Sequence, residues 1–187
     1  MTWINADDRL QPGALATAMA VLTQFPETQW LGGRHAYIDV AGSQVAILNV
    51  MPFPRQLLEA GLYEGRRIVF LQQEGVFWRR ALWQKCGSRM DEGLRYAGDF
   101  ELWCRFAEVA EYVSVDSVLG VFRVREGQAT NDLTSYYAEV DRLANRLAWR
   151  LIERGVAPGQ RVLVQLENSA EAVCAIFGVL KAGAVLV

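Results

Sequence analysis

Apolar residues recur at helical spacing early in the chain. Leu15, Met19 and Leu22 fall on one face of a predicted helix. Pro12 suits its first turn, where the missing N–H costs nothing, and Pro26 ends it. Two short runs, His35 to Val40 and Val45 to Asn49, flank Gly42-Ser43 and predict a hairpin. Arg55 to Tyr63 predicts a short helix, and Ile68 to Leu71 is a β-branched and aromatic run. Arg79 to Cys86 predicts a helix closed by Gly87, with Trp78 at its start. Asp99 to Ala110 predicts another, with Leu102, Trp103, Phe106 and Ala110 inward. Tyr112 to Val115 and Val118 to Val124 predict strands around Asp116-Ser117, and Trp3-Ile4-Asn5 reads as the tail of a strand.

The texture changes after Thr130. Five of the six tryptophans precede it. Val140, Leu143, Ala144, Leu147, Leu151 and Ile152 then mark one stripe of a long amphipathic helix from Tyr137 to Arg154. Pro158-Gly159-Gln160 is a turn, and Val162 to Leu166 a strand. Asn168 with Glu171 resembles a capping box for a second helix, which buries Val173, Ile176, Phe177 and Leu180 and ends at Gly183. Ala184 to Val187 reads as a strand cut short. Helix, strand, helix, strand predicts a parallel α/β unit, so the fold class is α/β throughout.

Composition narrows the function classes. Of 187 residues, 52% are hydrophobic and 21% charged, the balance of a globular chain. The net charge of −2 and the lack of a basic block exclude electrostatic nucleic-acid binding. The uncharged run Leu10 to Pro26 holds Gln, Thr and Pro and is short for a membrane span. Three scattered cysteines without C-x-x-C, and a single histidine, His35, exclude a disulfide scaffold and structural zinc. A reducing, cytoplasmic setting is expected.

Two places carry candidate chemistry. Asp7 and Asp8 follow a predicted strand end, where open α/β sheets bind ligands, and adjacent carboxylates can hold a divalent cation. They can equally be a solvated turn. Asp99 opens its helix after Gly98, where the dipole favours a carboxylate. It reads either as a cap or as a general base for a hydroxyl. His35 reads as a surface or core residue rather than a ligand.

The stretch from Trp3 to about Thr130 resembles family 2 glycosyltransferases of the GT-A fold. The matching pieces, in order, are W-I-N-A-D-D-R-L-Q-P-G-A-L, Q-Q-E-G-V-F-W-R-R-A-L-W-Q-K-C-G, M-D-E-G-L-R-Y-A-G-D-F-E-L-W-C-R-F-A and G-V-F-R-V-R-E-G-Q-A-T. The resemblance implies a partial GT-A-like mixed sheet with helices. It implies sugar transfer from a nucleotide sugar to a hydroxyl acceptor with Mn or Mg. Asp7 and Asp8 would hold the metal, Asp99 would be the base, and Gln73 and Glu74 would border the acceptor. Arg123 and Arg125 would contact phosphate, with Arg125 standing where many relatives carry a histidine. The nucleotide-binding half that precedes the D-D strand in that family is not among these residues, so transfer activity is not expected of the chain as it stands.

Tyr137-Ala138-Glu139-Val140-Asp141-Arg142-Leu143-Ala144-Asn145-Arg146-Leu147-Ala148 resembles the opening of adenylate-forming enzymes, nonribosomal peptide synthetase adenylation domains and acyl-CoA ligases above all. G-V-A-P-G-Q-R-V-L-V-Q-L-E-N-S-A-E-A-V and L-K-A-G-A-V extend the likeness to Val187. The family's phosphate loop, adenine-binding segment and catalytic lysine lie further on, so the resemblance implies no ATP site and no adenylation residue here. Tyr136 stands where relatives carry Thr, which removes a capping box.

The expected organisation is a glycosyltransferase-like partial domain over 1–130 and an adenylation-like partial segment over 131–187. The leading expectation is a glycosyltransferase-like fragment. An adenylate-forming ligase fragment is the alternative, and a non-catalytic interaction module the third. Each end of such a chain would present an apolar edge, with self-association as the consequence.

Overall fold

The structure, a computed structural model, describes residues 1–59, 63, 70–125, 128, 132–164 and 170–187, without the side chains at 59, 143–144, 146–147 and 170–174. It is α/β, with a mixed sheet and several helices. The start of the β-branched and aromatic run at Ile68, the Asn168–Glu171 cap and the end of the Val162–Leu166 strand fall outside the described residues.

The chain forms two compact units. The first comprises Met1–Arg55, Phe70–Arg89 and Val109–Asn131, and the second Gln56–Val69, Met90–Glu108 and Asp132–Val187. The second unit therefore draws on chain from both sides of residue 131.

The first unit is built on a five-stranded sheet. Its long strands are β2 (Trp30–Ile38) and β5 (Tyr112–Arg123), which run parallel from Trp30 opposite Tyr112 to Ile38 opposite Arg123. The short strand β1 (Arg9–Leu10) pairs antiparallel with β5. On the other side, β3 (Gln44–Ile47) and β4 (Val76–Trp78) pair antiparallel with different parts of β2. The β2–β3 hairpin turns at Gly42, which takes the left-handed conformation as expected for a glycine turn. β5 is one strand where two were expected. Asp116-Ser117 is accommodated as an irregularity in its register with β2 around Arg34. Trp3–Asn5 is not a strand, and Trp78 belongs to β4 rather than to the helix that follows it.

Helix α1 (Ala14–Gln24) covers this sheet with a face other than the expected one. Ala14, Ala18 and Leu22 are buried with Leu31, Phe77 and Leu119, while Leu15 and Met19 are 59% and 61% exposed. Ala14 and Ala18 let the helix sit close to the sheet, and that closeness decides which stripe faces inward; of the expected three only Leu22 is buried. Gly13 at a left-handed φ precedes the helix, so Pro12 lies before its cap. A short α3 (Arg80–Lys85) follows β4, and Gly87 adopts the left-handed conformation just after it.

In the second unit, α4 (Gly98–Ala107) buries Leu102, Trp103, Cys104, Phe106 and Ala107. Cys86 and Cys104 form no disulfide. A five-residue α2 (Arg55–Glu59) supplies the Leu58 carbonyl that accepts the Cys104 thiol at 3.5 Å. The long helix α5 (Leu133–Glu153) starts one turn before the expected Tyr137. Asp132 caps it, its side chain accepting the Ser135 N–H at 3.0 Å, so the missing threonine is replaced by an earlier cap. Helix α6 (Ala170–Lys181) packs against α5. It buries Ala175 and Val179 and leaves Ile176, Phe177 and Leu180 exposed, the reverse of the expectation for those three. Small residues again take the contact face, because they bring two helix axes close. Strands β6 (Arg161–Val162) and β7 (Val185–Leu186) pair in parallel across α6, as the helix–strand pattern predicts. Gly183 ends α6 at a positive φ.

Candidate functional site

Asp7, Asp8, Arg123 and Arg125 meet at one end of the first unit's sheet. The turn after Asn5 brings the two carboxylates beside the end of β5. One Asp8 oxygen accepts the Arg123 backbone N–H at 2.9 Å, and the other accepts the Asn5 side-chain amide at 3.1 Å. Arg123 spends its guanidinium on backbone carbonyls, donating to Asp7 at 3.0 Å and to Asp39 at 3.0 Å. Arg125 donates to the Asp7 carboxylate at 2.8 Å, and that bond holds the Asp7 carboxyl below its ordinary value. Gln128 closes the cluster by accepting the Arg125 N–H and donating to the Arg123 carbonyl. The donor set for a cation here is two carboxylates, one already paired with a guanidinium. Among the described residues no three His, Cys, Asp or Glu side chains converge on one point.

Gln73 and Glu74 lie in the loop before β4, in the same unit. The Gln73 side-chain carbonyl accepts the Trp3 indole N–H. Glu74 is buried, and its backbone carbonyl pairs with His35 Nε2. His35 is thus a buried core residue, as one of its two sequence readings held. Desolvation pushes its pKa down to about 4, so the ring stays neutral at ordinary pH and donates to that carbonyl. Beside it, Gln72 donates to the Tyr37 hydroxyl at 2.7 Å.

Asp99 belongs to the second unit, in the first turn of α4. Burial of its carboxyl pushes the pKa up to about 6, against the hydrogen bond from the Phe100 N–H at 2.8 Å. It is not the cap of that helix. The cap position is Ala97, which has no side chain able to accept a bond.

The group that serves this helix start is Glu139, from α5. Its carboxylate accepts the backbone N–H groups of Arg95 at 2.8 Å, Tyr96 at 2.7 Å and Ala97 at 2.9 Å. Desolvation raises the Glu139 pKa, but those three bonds and the Arg142 charge outweigh it, and the carboxyl sits below its ordinary value. Arg142, one turn on, donates to the Gly93 carbonyl. Glu139 entered the sequence reading only as part of a family motif. The signal that pointed to it was negative: a helix opening on Tyr96-Ala97-Gly98 has no local cap and needs a remote one.

At the middle of α5, Lys181 Nζ donates to the Asn145 side chain at 2.8 Å and lies 3.5 Å from the Asp141 carboxylate. It is a link between α6 and α5.

The model of the AMP-binding enzyme family matches residues 122–187. Phosphinothricin tripeptide synthetase PhsC of Streptomyces viridochromogenes is 56% identical over 50 residues, covering 27% of this chain and 5% of that protein. A medium/long-chain-fatty-acid–CoA/3-oxocholest-4-en-26-oate–CoA ligase of Mycobacterium marinum is 45% identical over 51 residues, 27% of this chain and 9% of the ligase. A salicyl-AMP ligase / salicyl-S-ArCP synthetase of Mycobacterium tuberculosis is 47% identical over 49 residues, 26% of this chain and 9% of that enzyme. The chain therefore spans less than a tenth of the length of these relatives. The matches overturn the leading functional expectation. They support the adenylate-forming alternative and give no support to the family 2 glycosyltransferase resemblance. Sugar transfer, with a nucleotide sugar and a hydroxyl acceptor as ligands, is withdrawn. Among the described residues no helix is long and apolar enough to cross a membrane.

Proposed function

We propose that this protein is part of an adenylate-forming enzyme, with residues 122–187 belonging to the opening segment of its AMP-binding domain. Such an enzyme activates a carboxylic acid. The carboxylate attacks the α-phosphate of ATP, an acyl adenylate forms and pyrophosphate leaves. The matched relatives are named for peptide synthesis, fatty-acyl-CoA ligation and salicyl adenylation, so the shared substrate feature is the carboxylate itself. The setting is a reducing, cytoplasmic one.

One observation carries the reading. The family match includes the whole α5–β6–α6–β7 run, in which β6 and β7 pair in parallel across α6. A parallel pair with a crossover helix is a seed on which an α/β sheet extends strand by strand. In this reading the segment is scaffold, and no residue in it is assigned to the adenylation step.

Grafting tests it. Residues 133–187 replace the corresponding opening of a peptide synthetase adenylation domain, and ATP–pyrophosphate exchange is measured. Exchange within about tenfold of the parent supports the reading, since a scaffold swap with conserved packing costs about 1.4 kcal/mol or less. A folded chimera without exchange overturns it.

A further inference from the structure

We propose that residues Met1–Leu10 form a clasp on the first unit's sheet, hinged on β5 and opening from β4 while the sheet itself stays folded. One segment holds the outer sides of two strands. At one end Met1 and Trp78 exchange both main-chain bonds. The Met1 amino group donates to the Trp78 carbonyl, and the Trp78 N–H donates to the Met1 carbonyl at 2.9 Å. Such an exchange is the hydrogen-bonded pair of an antiparallel ladder. The other side of β4 faces β2, and just past β4 the Arg79 N–H donates to the Gln29 carbonyl at 2.8 Å. At the far end of the segment, Arg9–Leu10 pairs with β5 as β1. Between the ends, Trp3 is the latch. Its indole N–H donates to the Gln73 side chain, and its ring stands edge-on to that of the buried Trp78, with centroids 5.6 Å apart.

The two ends differ in hold. The β5 end has the Asp8–Arg123 bond at 2.9 Å, the Arg123 and Arg125 side chains on Asp7 at 3.0 and 2.8 Å, and the Gln11 N–H on the Leu119 carbonyl at 3.0 Å. Most of these involve a charged group, the stronger kind of hydrogen bond. The β4 end has the Met1 pair and the Trp3 latch, and Met1 is 51% exposed. A segment held by few bonds that water can reach opens at a lower free energy than the sheet beneath it. The clasp therefore peels from β4 first and swings about the Asp7–Asp8 turn. Opening bares the outer N–H and C=O of Trp78 and the Gln73 side chain. Closing covers a strand edge that would otherwise be open to pairing.

Residue-resolved hydrogen exchange on the full chain at neutral pH, corrected for intrinsic rates, tests this. The Trp78 amide, held by Met1, is expected to exchange at least about tenfold faster than the Arg79 amide, held by Gln29. That comparison is made on the wild-type chain and needs no variant to fold. Trp3→Phe keeps an aromatic ring and loses the indole N–H, and Gln73→Ala removes the same bond from the other side. Each should speed Trp78 exchange a further threefold to tenfold, about the worth of one such bond, and the double variant should add nothing more. The Arg79 amide and the Arg123 amide, held by Asp8, should keep their rates. Equal protection of Trp78 and Arg79 in the wild type overturns the proposal. So do variants that speed Arg79 as much as Trp78, or that leave Trp78 unchanged.

Discussion

The carboxylate of Glu139 accepts the backbone N–H of Ala97 at 2.9 Å, so a residue on α5 caps the first turn of α4. The same carboxylate takes the Tyr96 and Arg95 amides. Glu139→Ala should cost about 1–3 kcal/mol, since three amides lose their acceptor. Glu139→Gln keeps one acceptor oxygen and should cost less. The native carboxyl is depressed, so its contribution is full above the unfolded value and is lost as pH falls through the folded one. Urea titrations at neutral and acid pH check this: the variants should converge on wild type at low pH.

His35 gives a second acid-sensitive element. Its folded pKa of about 4 lies below the ordinary 6.5, so the unfolded chain binds the extra proton between those values. Stability is full above about 6.5 and falls as pH drops towards 4, by about 2–3 kcal/mol. His35→Gln, which keeps a donor for the Glu74 carbonyl, should flatten that limb. Thermal melts from pH 7 to pH 4 measure it.

Asp99 works in the opposite direction. Its carboxyl is raised to about 6 from 3.8, so the folded chain holds the proton more tightly than the unfolded chain. Its protonated form favours the fold at low pH, and that contribution disappears as pH rises through about 6. Asp99→Asn should therefore stabilise the protein by about 1 kcal/mol at pH 8 and leave it unchanged at pH 4. A melt that shows equal shifts at both pH values would contradict the assignment.

Gly120 should tolerate no side chain. A Cβ there would stand 2.2 Å from the Glu74 carbonyl oxygen, and one on Gly75 would stand 2.5 Å from the Gly120 nitrogen. Both neighbours are backbone and have little room to give. Gly120→Ala should cost about 3 kcal/mol or more and disturb the His35–Glu74 bond with it. Loss of cooperative unfolding, or a large fall in midpoint denaturant, is the expected readout.

Much of the fold was legible because its signals are local. The hairpin around Gly42, the Arg80–Lys85 helix closed by Gly87, and the parallel β6–α6–β7 pattern each rest on spacing and turn chemistry within a dozen residues. The motif from Tyr137 onward was equally legible, and the adenylate-forming family match follows it. The glycosyltransferase-like pieces read as clearly, yet the matches went to the other family. A run of matching motifs raises expectation without testing it.

By itself the sequence determined most of the helices and the turns, because periodicity and glycine placement are short-range constraints, but it misplaced Trp3–Asn5 and Trp78 and split β5 in two. It named the inward face of α4, where Leu102, Trp103 and Phe106 are buried, but not those of α1 and α6. In α1, Leu15 and Met19 lost to Ala14 and Ala18, and in α6, Ile176 and Leu180 lost to Ala175 and Val179, because close approach favours small side chains over larger ones. It also left open what serves a helix start that lacks its own cap. Glu139 lies 42 residues from Ala97 and reaches it only because α5 passes the start of α4. The polar groups at that start must be satisfied by something, but only tertiary packing decides by what.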